Sequence, residues 1–501
     1  MSLAGEWTVW LDPGNVGVAQ GWAEDLSAGR TPAGAPSPPV ALAVPGPLEG
    51  SPSTRGYDGV AFFVREFSVP DDARHALLAL RFGQVNWACR AWLDGAEIGA
   101  HEGGYDAFDL QLAGGAVPGV HRLVLRVVDP GATPVDGVTL KTTPHSKESW
   151  YENFGGLVGP VSLRIDRSAR LTGAVVRVDD AASAVSLRGS VELSPSLIAD
   201  GQLRIALEIA VDGVVRLRRD VPVHEGSADF DERIELPGAT RWSPERPELH
   251  RVRVSVEDGR GRRDELLARD VGLRTVELRG GDLLVDGQRR VLKGVLWQPF
   301  FTGTGGVTPP DEELAAEARA IADTGFNLVR AHVRPAPPAF LDACDRLGLL
   351  VLEEPAIGWV DDDPALLPRL QHELDWMVAR DGHHPSIILW GVLNELSGKA
   401  YRYADALVEH LAALDDSRPI LEDSGGFFGD GRMLPPRAPA ARLLPMVDRH
   451  AYPPYPLALE DRDELVHLGE GGDRPVFVSE FGYGTLTDCV TALAGFERRA
   501  P

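Results

Sequence analysis

The spacing of hydrophobic and polar positions changes character along this chain. Up to about residue 166 the pattern is one of short alternating runs. Ala61-Phe-Phe-Val-Arg-Glu-Phe-Ser-Val69, Ala76-Leu-Leu-Ala-Leu-Arg-Phe82 and Arg122-Leu-Val-Leu-Arg-Val-Val128 are separated by Gly, Pro and Asp turns, which reads as a β-sandwich. A Pro/Gly/Ser/Ala-rich stretch from Thr31 to Thr54 reads as a mobile loop. From about 167 to 276 more short strands follow, over Val175–Val178, Leu203–Val211, Val214–Val221 and Val252–Val256. Turns at Asp212-Gly213 and Asp258-Gly259 link some of them. A length near 110 residues suits one immunoglobulin-like sandwich, with no chemistry of its own.

From about 277 to 501 strands alternate with helices, the signature of a parallel sheet. Strands are predicted over Val291–Trp297, Phe326–His332, Leu349 to Glu353 or Glu354, Ser386–Leu393, Pro419–Glu422, Pro445–His450 and Pro475–Glu480. Thr308 is expected to cap a helix with Pro309 in its first turn. Phe340, Leu341, Cys344 and Leu347 mark the next helix, stopped by Gly348. Leu366 to Val378 and Tyr401 to Leu414 mark two more. The pattern is that of a (β/α)8 TIM-type barrel.

Within it, Ser386–Leu393 is almost wholly apolar, with Gly391 as its sole breaker, yet it runs into Asn394-Glu395. A second apolar run, Pro475-Val-Phe-Val-Ser-Glu480, also ends in Glu. Carboxylates at the carboxyl ends of buried barrel strands lie where such barrels place their chemistry. A solvated Glu at the strand exit is the plain alternative for either residue taken alone. Two together are what a retaining glycosidase needs: one donates a proton to the leaving oxygen, the other attacks the anomeric carbon, about 5–5.5 Å apart.

Trp390-Gly-Val-Leu-Asn394-Glu395 and Val476-Phe-Val-Ser-Glu480-Phe-Gly resemble the acid/base and nucleophile strands of glycoside hydrolase family 2. That clan A family includes β-galactosidases, β-glucuronidases and β-mannosidases. Ala91-Trp-Leu-Asp-Gly95 with Gly99-Ala-His-Glu-Gly-Gly-Tyr-Asp-Ala-Phe108 resembles its jelly-roll sugar-binding domain. There Trp87, Trp92 and Tyr105 are expected as core aromatics rather than sugar platforms. Arg241 to His250 and Asp270 to Val276 resemble segments of its second domain. The resemblance implies a jelly-roll domain over 1–166, an immunoglobulin-like domain over 167–276 and a catalytic barrel over 277–501. It implies Glu395 as acid/base with a raised pKa and Glu480 as nucleophile. It implies Arg330 as the cation that keeps the nucleophile ionised, Asn394 as the partner of the sugar 2-hydroxyl, and Tyr452, beside His450, as a residue approaching the nucleophile. Trp297, His332, Glu354 and Trp359 are candidate walls of the sugar subsite, with packing or loop roles as the alternative for each.

Three departures qualify the resemblance. After the first barrel strand the chain reads Leu296-Trp297-Gln298-Pro299 where the galactosidase and glucuronidase branches usually carry Asn-Arg-His-Glu. After Arg330 the histidine comes one place early, in Ala331-His332-Val333-Arg334-Pro335. Few residues follow Glu480, enough for a helix over Thr485–Arg499 but not for an eighth strand, so the barrel is expected to be C-terminally truncated. The functional expectation is a retaining exo-β-glycosidase acting on terminal β-linked sugars by double displacement, with no metal and no cofactor. The alternative is an inactive, carbohydrate-associated or structural relative.

Composition changes this little. The 501 residues carry a formal net charge of −24, which argues against nucleic acid and anionic membranes as partners. It weakly disfavours a polyanionic substrate unless a local basic pocket overrides it. A carbohydrate is the expected partner, and homo-oligomerisation is left open. Cys89, Cys344 and Cys489 are sparse and odd in number, giving neither a disulfide framework nor metal spacing. With no signal peptide or membrane segment legible, a cytoplasmic protein is expected. Gly303-Thr-Gly-Gly306 lacks the Lys-Ser/Thr of a phosphate loop and reads as a rim loop. Gly425 to Gly431 reads as a loop over the mouth, Asp361 to Asp363 as a solvated turn, and His383-His384 as lying at the wrong end of its strand for catalysis.

Overall fold

The structure is a computed structural model that describes residues 1–112, 117–179, 183–201, 204–279, 282–396, 398–426, 431–434, 446–452, 458–460, 463, 467 and 476–481. The expected helix over 485–499, Cys489 and the middle of the loop from 425 to 431 lie outside the described residues.

The first third is a sandwich. A six-stranded antiparallel sheet runs in the order Val40–Val44, Gly5–Asp12, Gly59–Val69, Gly119–Asp129, Ala88–Leu93, Ala96–Glu102. A three-stranded sheet, Val161–Asp166, Leu77–Phe82, Phe108–Gln111, faces it. Alternation along the strands sends Val9, Leu42, Phe63, Leu80, Leu125 and Leu163 into one shared core. Trp87, Trp92 and Tyr105 are all buried. The stretch from Thr31 to Thr54 is not a plain loop, because Val40–Val44 pairs with Gly5–Asp12 as an edge strand. Its Val-Ala-Leu-Ala-Val alternation is hidden in the sequence by the flanking prolines and glycines.

A second pair of sheets follows, of three and four antiparallel strands between Ala169 and Val271, closed over a core of Leu187, Leu207, Ile209, Val254 and Phe230.

The last region is an eight-stranded sheet in chain order. Its parallel strands are Gly294–Trp297, Leu328–Ala331, Leu350–Glu353, Ile387–Asn394, Ile420–Ser424, Met446–Ala451 and Val476–Phe481. Between the fifth and sixth of these lies a strand the periodicity did not predict. Gly431–Leu434 pairs antiparallel to both neighbours, just after the stretch from Gly425 to Gly431 that was read as a loop over the mouth. The last strand lies beside the first, so the sheet curls into a barrel. The helix expected to begin at Thr308 runs over Asp311–Asp323 instead, with Pro310 as its extended N-cap and three acids in its first turn. The residue before a proline is steered away from helical geometry, so consecutive prolines delay the start. The helix expected from Tyr401 begins as a 3₁₀ turn over Gly398–Tyr403 and turns α over Ala404–Leu414.

The amino end of the barrel is plugged. Leu328, Leu350, Leu352, Ile388, Leu389 and Leu421 meet Trp242, Leu283 and Val285 from the chain before it. Two buried arginines fasten the foot of the Glu395 strand. Arg274 donates to Pro385 O (2.9 Å) and Ile387 O (2.6 Å), and Arg418 donates to Ile387 O (2.8 Å) and His384 O (3.0 Å). Among the described residues no helix is long and apolar enough to cross a membrane.

Candidate active site

Every strand of the parallel set ends at the same mouth, and strand register decides which side chains reach it. Arg330 pairs with Leu296, and Ala331 with Trp297. Neighbouring strand residues face opposite ways, so Arg330 points into the barrel while Trp297 points out under the helices. The Trp297 ring stacks on Phe340 with centroids 3.8 Å apart, and its Nε1 donates to Glu317 Oε1 at 2.9 Å. Trp297 is therefore not brought to the mouth, and its expected role as a subsite wall is corrected.

Arg330, buried at 3% exposure, is the hub. Its Nε donates to Glu354 Oε1 (2.6 Å), Nη1 to Glu480 Oε1 (2.8 Å) and Nη2 to Asn394 Oδ1 (2.6 Å). Tyr452 donates its hydroxyl to Glu480 Oε2. A carboxylate oxygen of Glu395, one of Glu480 and a ring nitrogen of His450 all lie within 4.8 Å of one another. That spacing could also bracket a cation, but Arg330 already brings positive charge to Glu480.

Glu354 is held from three sides, by Arg330, by the Val333 amide (2.8 Å) and by His332, whose Nδ1 lies 3.3 Å away without hydrogen-bond alignment. Burial would raise its pKa, but Arg330 and His332 outweigh that and hold it at about 2. Burial, aided by the Arg330 charge, lowers His332 to about 4. Glu354 braces Arg330, and His332 stands against Glu354. Gly391 makes room for Glu354, since a Cβ there would meet Glu354 Cγ at 2.6 Å.

Glu395 and Glu480 differ in surroundings, and not in the expected sense. His450 Nδ1 lies 2.7 Å from Glu395 Oε1. The other ring nitrogen, Nε2, faces Arg330 Nη1 (3.4 Å), which can only donate, and Ser424 Oγ (3.0 Å). Nε2 therefore accepts, and Nδ1–H donates to Glu395. That bond lowers the Glu395 pKa against the opposing effect of burial. Burial raises the Glu480 pKa, against Arg330 and His450. The raised pKa expected for Glu395 is thus not a property of this arrangement, because a histidine stabilises its ionised form. Glu395 also carries a left-handed backbone, φ 48°, of a kind that gathers at functional sites.

Sequence reasoning missed several residues here. Asp448 is fully buried and accepts from the Gly425 amide (2.8 Å), Ser479 Oγ (2.8 Å) and Ser424 Oγ (3.1 Å), fastening the ends of three strands. Its position two residues before His450, on the same strand face, was the available signal. Lys147 comes from the first sandwich, and nothing in its local sequence marks it. Trp359 lines a cleft of about 520 Å³ together with Lys141, Asp361, Glu395 and Gly425. Asp361, read as part of a solvated turn, is one of its walls. Gly303 to Gly306, read as a rim loop, packs on the first sandwich, with Gly305 against Pro47 and Gly306 against Phe154. At the opposite end of the barrel His384 pairs with Asp345 at 2.6 Å, away from the mouth.

Residues 276–486 match the family model described as "Glycosyl hydrolases family 2, TIM barrel domain". The barrel region of the chain is thus similar to that of glycoside hydrolase family 2. The chain is 29% identical over 373 residues to a β-galactosidase of Enterobacter cloacae, covering 69% of this chain and 34% of that enzyme. A β-galactosidase of Aeromonas hydrophila is 32% identical over 268 residues, 47% of this chain and 26% of that enzyme. The chain thus spans about a third or less of the length of these curated relatives. Among solved structures, a family 2 β-galacturonidase from Eisenbergiella tayi bound to galacturonate superposes with TM-score 0.70 at 22% identity, covering 97% of this chain and 84% of that one. The β-glucuronidase of Ruminococcus gnavus in complex with D-glucuronic acid gives 0.66 at 22% identity, covering 84% and 72%. These likenesses show a shared multidomain fold of β-sandwich and TIM barrel.

Proposed function

We propose that the protein is a glycoside hydrolase acting on O-glycosyl bonds, a retaining exo-β-glycosidase that removes terminal β-linked sugars by double displacement. The observation that carries this is the placement of Glu395 and Glu480 at one barrel mouth with carboxylate oxygens no more than 4.8 Å apart. That is close to the separation of about 5–5.5 Å that covalent catalysis uses, and short of the roughly 6.5–9.5 Å that leaves room for a water in inverting enzymes.

Glu480, steadied by Arg330 and Tyr452, attacks the anomeric carbon as Glu395 protonates the departing oxygen. Glu395 then takes a proton from water, which attacks the same carbon and releases Glu480. His450 hands Glu395 a hydrogen bond that favours its ionised state, the state needed in the second half-reaction. Asn394, whose Oδ1 is tied to Arg330, is left with its amide N–H groups to meet the sugar 2-hydroxyl. The domain division 1–166, 167–276 and 277–501 fits this reading, with the sandwiches shaping and bracing the mouth.

A panel of nitrophenyl β-glycosides, followed by a 2-fluoro sugar and peptide mass mapping, tests the proposal. The expected result is turnover of at least one glycoside with the β-anomer released first, and a covalent adduct on Glu480. Failure of the folded protein to cleave any sugar, or an adduct on another residue, would overturn it.

A further inference from the structure

One cation at this mouth has no hydrogen-bond or ion-pair partner among the described residues. Lys147 is 8% exposed, and its Nζ lies 4.0 Å from the centroid of the Trp359 ring. Among the described residues its ammonium makes no hydrogen bond or ion pair. Burial lowers its pKa, against the pull of Glu480, Glu395 and Glu354, in that order. Yet each of these acids is already matched: Glu480 by Arg330 and Tyr452, Glu354 by Arg330 and the Val333 amide, Glu395 by His450. Arg330 has its three nitrogens engaged on Glu354, Glu480 and Asn394.

A side chain this buried strips its ammonium of much of its hydration, and among the described residues only the Trp359 ring face offsets that loss. Residue choice adds to this. Only four of the 50 basic residues are lysines, and two of the four, Lys141 and Lys147, stand at this mouth. Apart from Lys293 and Lys399 the remaining basic residues are arginines, whose planar fork would commit itself to the nearest carboxylates, whereas a lysine is a compact point charge. The segment carrying both lysines is fixed over the barrel by backbone bonds, Ser146 N to Ala356 O (2.8 Å) and Asp361 N to Lys141 O (2.7 Å).

We propose that Lys147 determines sugar specificity: its ammonium receives a carboxylate carried by the sugar ring that Glu480 attacks, so the preferred substrate is a β-linked uronide rather than the matching neutral hexoside. This rests on the glycosidase reading above. A sugar carboxylate brought among Glu480, Glu395 and Glu354 would be repelled without a cation free to meet it. Lys147 is such a cation, and the Trp359 face beneath it helps hold the charge out of water.

The test compares the wild type with Lys147→Met and Lys147→Arg. Calorimetry measures binding of glucuronate and galacturonate against glucose and galactose. Kinetics measure kcat/KM on nitrophenyl β-glucuronide and β-galacturonide against the β-glucoside and β-galactoside. The wild type is expected to favour one uronic acid over its neutral counterpart in both assays. In Lys147→Met the uronide-to-neutral ratio should fall about 100-fold, mostly through KM, as expected when one partner of a buried charge pair is removed, and Lys147→Arg should recover part of it. A wild type that prefers neutral sugars, or a ratio unchanged in Lys147→Met, overturns the assignment. If no glycoside is cleaved at all, the glycosidase reading fails while the binding comparison still decides the role of Lys147.

Discussion

His450 sits between the two carboxylates and treats them unequally. Its Nδ1–H is bonded to Glu395 at 2.7 Å, and its Nε2 lies 3.5 Å from Glu480. The hydrogen bond stabilises the ionised form of Glu395, so its loss must raise that carboxyl's pKa. In His450→Phe, which keeps a ring but no donor, the high-pH limb of kcat/KM is therefore expected to move to higher pH. A pH profile across that limb checks this, and a shift downward would contradict the assigned tautomer. The two glutamates were legible in the sequence because charge at the end of an apolar run is anomalous on its own. The histidine's effect on them was not, since it depends on a contact across 55 positions of chain.

At the scale of single elements, the Glu395 strand explains its one apparent flaw. Gly391 weakens a strand that is otherwise well suited to burial, yet the adjoining strand end sends Glu354 into the space its missing side chain leaves. Gly391→Ala would place a methyl 2.6 Å from Glu354 Cγ, displacing the acid that braces Arg330. Overpacking of this kind costs about 1–3 kcal/mol, so urea denaturation should show a loss of that order and kcat/KM should fall with it. The seven parallel strands could be placed from apolar runs bounded by turn residues, with ends off by a few residues. The antiparallel Gly431–Leu434 strand could not, because a four-residue segment with Arg432 in it has no distinct period. Trp297 was misplaced for a related reason: which face a strand residue takes follows from register, and register appears only when the neighbouring strand is known.

For the whole molecule, the first sandwich and the barrel meet along a polar seam. His101 and His372, one from each, bracket Asp106 at 3.0 Å on either side, and Arg369 donates to Glu102 at 2.6 Å. Burial opposes ionisation of Asp106, but the two histidines prevail and hold its pKa at about 2. Asp106 raises the pKa of His372. A histidine raised on folding adds stability that is complete below its unfolded value of about 6.5 and fades as pH rises through the folded value. A depressed carboxyl adds stability present above its unfolded value and lost as pH falls towards 2. The seam is thus expected to be tightest between about pH 4 and 6.5. In His372→Gln, the Tm deficit relative to the wild type should be largest in that window and shrink above it. A deficit that grows with pH would show that the pair does not hold the seam.

Sequence alone determined the order of sandwiches and barrel, the strands that carry Glu395 and Glu480, and the family that the barrel resembles, because each is written in local periodicity and short runs of residues. Tertiary structure decided which way Trp297 faces, that His450 and not solvent meets Glu395, and that a lysine from the first sandwich stands bare beside Trp359. Those facts depend on distances between segments far apart in the chain, and no local pattern encodes a distance of that kind.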